Sequence, residues 1–175
     1  VMVFSAEDDA KRVMEVLPKR LGKFGLELHP EKTRLIRFKP VPRKGAGKGS
    51  RPESFDFLGF THFWGKSRKG RWIVKSKTAS KRFTRALRGI NEWCNRCRHV
   101  VLKDQHRILS LKLRGHYQYY GIAGNANALY RFRWEVRRIW RKWLDRRSQR
   151  SRMPWERYIR LLKRYPLPKP RAISC

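Results

Sequence analysis

The pattern of apolar and polar positions changes period once along this chain, near residue 80. Before that point, short apolar runs are broken by Gly, Pro and turn residues. Beyond it, apolar residues recur every three or four positions, as on one face of a helix. Val1-Met2-Val3-Phe4 is a continuous apolar run that predicts a buried strand. Its partner strands are expected upstream, so the chain reads as truncated at its N-terminus. Ser5 is placed to cap a helix whose first turn holds Glu7, Asp8 and Asp9, carboxylates that suit a helix N-terminus. Ala10, Val13, Leu17, Leu21 and Phe24 continue it at helical spacing; Pro18 should bend or divide it, and Gly22 or Gly25 should end it. A strand over 26–28, a turn at His29-Pro30-Glu31 and a strand over 33–38 follow. Residues 39–53, rich in Lys, Gly and Pro, predict a flexible basic loop. Phe55 to Trp64 and Arg71 to Lys75 predict a β-hairpin about a turn at 65–70.

From Ser80 the helical period takes over. Phe83, Ala86, Leu87, Ile90, Trp93, Cys94 and Cys97 share one arc, with Arg85, Arg88 and Arg96 opposite. A second helix runs from about Asp104 to Tyr120, with Leu109, Leu113, Tyr117 and Tyr120 on one face, and residues 121–124 end it. A third begins near Asn127 and turns Leu129, Phe132, Val136, Ile139, Trp140 and Trp143 to the core. Pro154 opens a short last helix carrying Trp155, Ile159 and Leu162. Pro166, Pro168 and Pro170 predict an extended tail.

Charge changes this picture most. Lys and Arg total 45 against 13 acids, a net charge of +32, with seven Trp, six Tyr and nine Phe in 175 residues. So many aromatics distinguish the chain from a disordered basic tail. A field of that sign calls for a polyanion, and the interleaving of Arg with Trp and Tyr suits nucleic acid better than a lipid surface. There is no long apolar span or secretory leader, so no membrane partner is expected. Three cysteines make no disulfide framework, and an intracellular, cytoplasmic setting follows.

The chemistry-bearing motifs are sparse. Asp8-Asp9 could hold a divalent cation, but the pair stands in a first helical turn with no third carboxylate near, where the helix dipole accounts for it. Cys94-x-x-Cys97 lacks the second half of a zinc site and lies on an apolar arc. His29, His62, His99, His106 and His116 show no ligand spacing and assemble no catalytic triad. Gly45-x-Gly47-x-Gly49 lacks the preceding strand of a phosphate loop. No catalytic and no metal-binding residue is therefore assigned.

The third helix is more informative. Between Arg131 and Arg152 there are ten basic residues and two acids. Projected at about 100° per residue, Arg137, Arg138, Arg141 and Lys142 fall opposite the core arc, with Tyr130 and Trp134 on the same side. Trp134 beside several Arg residues forms a stacking platform for unpaired bases, or else the Pro-rich tail covers it.

Three stretches in order carry a resemblance. A helix followed by Gly25-Leu26-Glu27-Leu28-His29-Pro30-Glu31-Lys32-Thr33, then Phe57-Leu58-Gly59-Phe60, resembles the last palm segments of group II intron-encoded reverse transcriptases. The helices around Gly115-His116-Tyr117-Gln118-Tyr119-Tyr120-Gly121 look like the maturase-specific, or thumb, domain of the same proteins. The resemblance covers nearly the whole chain. It implies that Lys32 lies near the phosphates of an incoming nucleotide, and that Phe57, Leu58, Gly59 and Phe60 form the primer grip. In that grip Gly59 would admit the primer backbone. Tyr117, Tyr120 and Gly121 match the thumb motif. The family's Tyr-Ala-Asp-Asp hairpin and its Mg²⁺ ligands have no counterpart here, so the resemblance implies no polymerase activity and no cofactor in this chain alone.

These readings predict an α+β fold: a remnant of a reverse-transcriptase palm sheet with a β-hairpin, followed by a basic helical thumb bundle. The boundaries fall at 1–76 for the palm part, 77–164 for the thumb and 165–175 for the tail. The expected function is RNA binding by a maturase segment that assists splicing of group II intron RNA and grips a primer–template, DNA primer included. Two alternatives stand beside it. One is a non-specific RNA-binding structural protein. The other is the C-terminal half of a split RNA-directed DNA polymerase completed by an N-terminal palm and fingers partner.

Overall fold

The computed structural model describes residues 1–40, 53–148 and 152–171. The predicted basic loop, apart from its ends, and Gly45-x-Gly47-x-Gly49 lie outside the described residues. The chain divides into two units, Val1–Glu53 and Ser54–Cys175.

The first unit contains one helix, α1 (Glu7–Gly22). Ala6 rather than Ser5 stands at its N-cap, with no side-chain cap bond. Pro18 neither ends nor divides it, since a fixed φ is compatible with a helix and the loss is confined to a backbone bond. Its end is built as the glycines suggested. Leu26 N–H reaches back to the Leu21 carbonyl and Gly25 N–H to that of Gly22, both at 3.1 Å, with Gly25 at φ +68°. That pair of bonds satisfies carbonyls a helix end otherwise leaves open, and the left-handed residue costs nothing at glycine. The strands predicted at 1–4, 26–28 and 33–38 are not formed. Apolar runs become strands only where a neighbour takes up their N–H and C=O groups. Here Val3 stays 91 % exposed, and Ala10 is the only buried residue among those described in this unit.

The second unit holds the core. Strands β1 (Phe55–Phe57), β2 (Phe60–Lys66) and β3 (Trp72–Thr78) form an antiparallel sheet in the order β1-β2-β3. The stretch predicted as one strand from Phe55 to Trp64 is thus two, folded on each other at Leu58-Gly59. Helices α2 (Ser80–Arg96), α3 (Leu102–Tyr120), α4 (Ala126–Asp145) and α5 (Trp155–Arg164) follow. The predicted arcs meet in one cluster: Ile90 and Cys94 from α2, Leu109, Leu113 and Tyr117 from α3, Leu129, Phe132, Val136, Trp140 and Leu144 from α4. From α5 the buried residue is Tyr158, while Trp155 and Ile159 remain exposed. The fold is α+β, as the change of period predicts.

Two buried amides tie the elements together. Gln105 Nε2 donates to the carbonyls of Cys97, Arg98 and Val100, and its Oε1 accepts from Trp140 Nε1 at 2.9 Å. The connection between α2 and α3 is thereby pinned to α4. Asn125 Oδ1 accepts from Thr78 N at 3.0 Å, and its Nδ2 donates to Thr78 Oγ1 and to the Tyr120 carbonyl, both at 2.8 Å. One side chain therefore joins the end of β3 to the junction of α3 and α4. The boundary predicted at 76/77 falls instead inside β3, because the hairpin packs with the helices.

The tail forms no separate region in residues 165–171. It lies along α3 and α4, with Leu167 buried. Arg133 donates to the carbonyls of Leu167 and Pro168, Tyr117 Oη donates to that of Pro168, and His106 Nε2 lies 3.0 Å from that of Pro166.

Candidate nucleic-acid interface

The Phe57↔Phe60 pair closes a two-residue turn in which Leu58 has φ +47° and Gly59 φ +83°. Positive φ at both central residues is the type I′ arrangement, whose twist matches that of the flanking strands. Glycine suits the second position by its φ, which strains any other residue, and a Cβ there would crowd Tyr120 Oη at 3.2 Å. The turn is also held from outside. Tyr119 Oη donates to the Leu58 carbonyl at 2.8 Å, and Ala79 N–H to the Gly59 carbonyl at 2.9 Å. Phe60 stacks on Tyr119 at 6.0 Å and meets Tyr120 edge-on at 5.3 Å. Two of the three stretches quoted for the resemblance, some sixty residues apart in sequence, thus form one contact.

An open cleft of about 510 Å³ lies beside that contact, lined by Leu58 and Gly59 at the turn, Arg82 of α2, and Gly115, His116, Tyr119 and Tyr120 of α3. The His116 ring stacks on Phe132 at 3.7 Å, and its Nε2 is buried with no hydrogen-bond partner among the described residues. Burial pulls its pKa down to about 4, so it is neutral at neutral pH. Burial raises the Tyr120 phenol above its usual range, and does the same to Tyr117. Gly121 has a steric reason of its own, since a Cβ there would collide with the Tyr117 carbonyl oxygen. Tyr117 and Gly121 thus serve the packing of α3 and the tail.

On α4, Tyr130 and Trp134 are 53 % and 51 % exposed, one helical turn apart. The tail as far as Arg171 passes along Arg133, and Trp134 is not buried beneath it. Arg138 lies over the Trp134 ring at 4.7 Å and reaches Glu135 at 3.4 Å; Lys142 is exposed beyond it. Arg137 and Arg141 do not join this face. Arg141 packs on Trp155 at 4.3 Å and donates to the Met153 carbonyl, and Arg137 Nε is buried beside α5. Tyr158 Oη donates to the Arg137 carbonyl at 2.8 Å. The fifth helix covers part of the arc that periodicity left to solvent. Lys32 is an exposed turn residue of the first unit, its N–H bonded to the His29 carbonyl.

The cleft brings in Arg82, His116 and Tyr119, which sequence reasoning did not single out. Tyr119 and His116 stand inside the quoted Gly115–Gly121 stretch, yet helical projection marks only Tyr117 and Tyr120 as one face. Arg82 has no signal beyond being one basic residue of many. Cys94 is buried, which lifts its thiol to about 12, as befits a packing residue. Among the described residues no three His, Cys, Asp or Glu side chains lie together as a metal site needs. No described helix is long and apolar enough to cross a membrane. No family model, curated protein or solved structure matches the chain.

Proposed function

We propose that this chain is the RNA-binding segment of a group II intron-encoded reverse transcriptase, with the end of the palm and the maturase-specific thumb. In this reading it assists intron splicing without a catalytic residue of its own and helps to grip a primer–template. The observation that carries the reading is the solvent-facing face of α4, where Tyr130 and Trp134 stand beside Arg138 and Lys142 in a chain of net charge +32. Cations neutralise phosphates along the strand, and the open rings receive unpaired bases. The turn at Leu58-Gly59, seated on Tyr119 and Tyr120, supports the primer-grip assignment for Phe57 to Phe60. Arg137 and Arg141 take structural roles between α4 and α5 in this reading.

The test is binding to a group II intron RNA and to an unrelated structured RNA of equal length, at rising salt. Intron preference should survive at high salt, where non-specific phosphate contacts fade. Trp134→Ala should weaken intron binding by about tenfold, the loss of one base stack. Dissociation of both RNAs along one salt curve would leave only a non-specific RNA-binding protein.

One observation favours a second reading. The first unit exposes Val1, Met2, Val3, Phe24 and Leu26, surface that a neighbouring palm segment would cover. That suits the C-terminal half of a split RNA-directed DNA polymerase, with any Mg²⁺ held by the partner.

A further inference from the structure

Leu58 stands in a backbone conformation that type I′ turns ordinarily give to Asn, Asp or Gly. Its φ is +47°, and it is the only non-glycine residue at positive φ among those described. Burial gives no compensation, because its side chain is 68 % exposed. The surroundings nevertheless hold the conformation fast, through Tyr119 Oη on the Leu58 carbonyl and Ala79 N–H on that of Gly59. An apolar side chain kept in solvent by a strained, clamped turn points to an occupant absent from the free chain.

The surroundings say what that occupant is. The cleft that Leu58 lines also has the aromatic ring of Tyr119, itself 56 % exposed, the bare backbone of Gly115 and a cation at Arg82, with no carboxylate in its lining. Its volume of about 510 Å³ falls within the span of small-ligand sites. An aromatic face suits the base of a nucleotide and a cation its phosphate. An apolar side chain against a base is also a known way to hold it out of a stack.

We infer that this cleft takes one unpaired nucleotide of a bound RNA, with the base packed against Leu58 and Tyr119 and its phosphate on Arg82. The inference rests on the reading that the second unit binds RNA, and it adds a site separate from the face of α4. Leu58 is then kept for contact at the expense of the fold.

That trade is measurable. Leu58→Asn installs the Asn-Gly pair preferred by this turn, and should raise the melting temperature by roughly 2–6 °C. The same change should weaken a single-stranded RNA of about eight nucleotides by about tenfold. It should weaken a blunt RNA duplex of equal phosphate number less than it weakens the single strand, because only the unpaired base can enter the cleft. Arg82→Ala should lower the salt slope for the single strand by about one. A variant that is more stable and binds the single strand as tightly as before overturns the inference, as does a melting temperature that falls. A concentration-dependent dimer that Leu58→Asn abolishes also overturns it, since a second copy would then be the occupant. Intron preference is read in a separate assay, so either proposal can fail while the other stands.

Discussion

His116 shows how much a single side chain can carry with its buried Nε2 unpartnered among the described residues. Its ring is stacked on Phe132 and touches Tyr120 at 4.6 Å. It is held neutral, with the pKa drawn from 6.5 down to about 4 by burial. The unfolded chain therefore takes up its proton first as the pH falls. Stability contributed by this group is present above pH 6.5 and is lost progressively as pH falls toward 4. Denaturant unfolding between those limits should show falling stability in the parent chain. His116→Phe keeps the stack and removes the proton site, so it should flatten that slope; an unchanged slope would assign it to other groups. Gln105 and Asn125 make a related point about what a sequence displays. Both are polar residues in polar-looking surroundings, and periodicity marks neither. Each is legible only once the carbonyls it must satisfy are in place.

At the scale of elements, the arcs read from spacing proved sound wherever two helices could meet. Leu109, Leu113, Leu129, Phe132, Val136 and Trp140 are all at most 1 % exposed. The failures have physical reasons. Leu58-Gly59 lacks the Asn-Gly signature of a type I′ turn, so β1 and β2 read as a single strand. The runs at 1–4, 26–28 and 33–38 have strand composition but no pairing in their own unit. Arg137 and Arg141 project to the polar side of α4, and nothing in a helical wheel tells that α5 will lie across them. The tail is a further case, since alternating prolines predict extension but not the surface it follows. Arg133 binds two of its carbonyls. Arg133→Ala should cost about 1–2 kcal/mol in denaturant unfolding and speed proteolysis of residues 165–171. Exposed Lys169→Ala should leave both measurements unchanged.

At the scale of the molecule, burial is unevenly divided. Ala10 apart, every buried residue described belongs to the unit that begins at Ser54. A chain starting at Ser54 should therefore unfold cooperatively, within about 1 kcal/mol of the full-length chain. Loss of cooperativity would show that the first 53 residues contribute to that core. The same chain carries the face of α4 and the cleft, so both RNA-binding proposals can be tested on it. The first unit's helix buries Ala10 and leaves Val13, Met14, Leu17 and Leu21 only half-buried.

The bond between Trp140 and Gln105 has a consequence beyond holding α4 in place. The indole N–H is sealed by that bond on a side chain with no exposed surface. It can meet solvent deuterium only when that bond breaks and the packing over the Trp140 ring loosens, whereas exposed protons exchange without any opening. One proton on one tryptophan thus keeps time for the parting of α3 from α4.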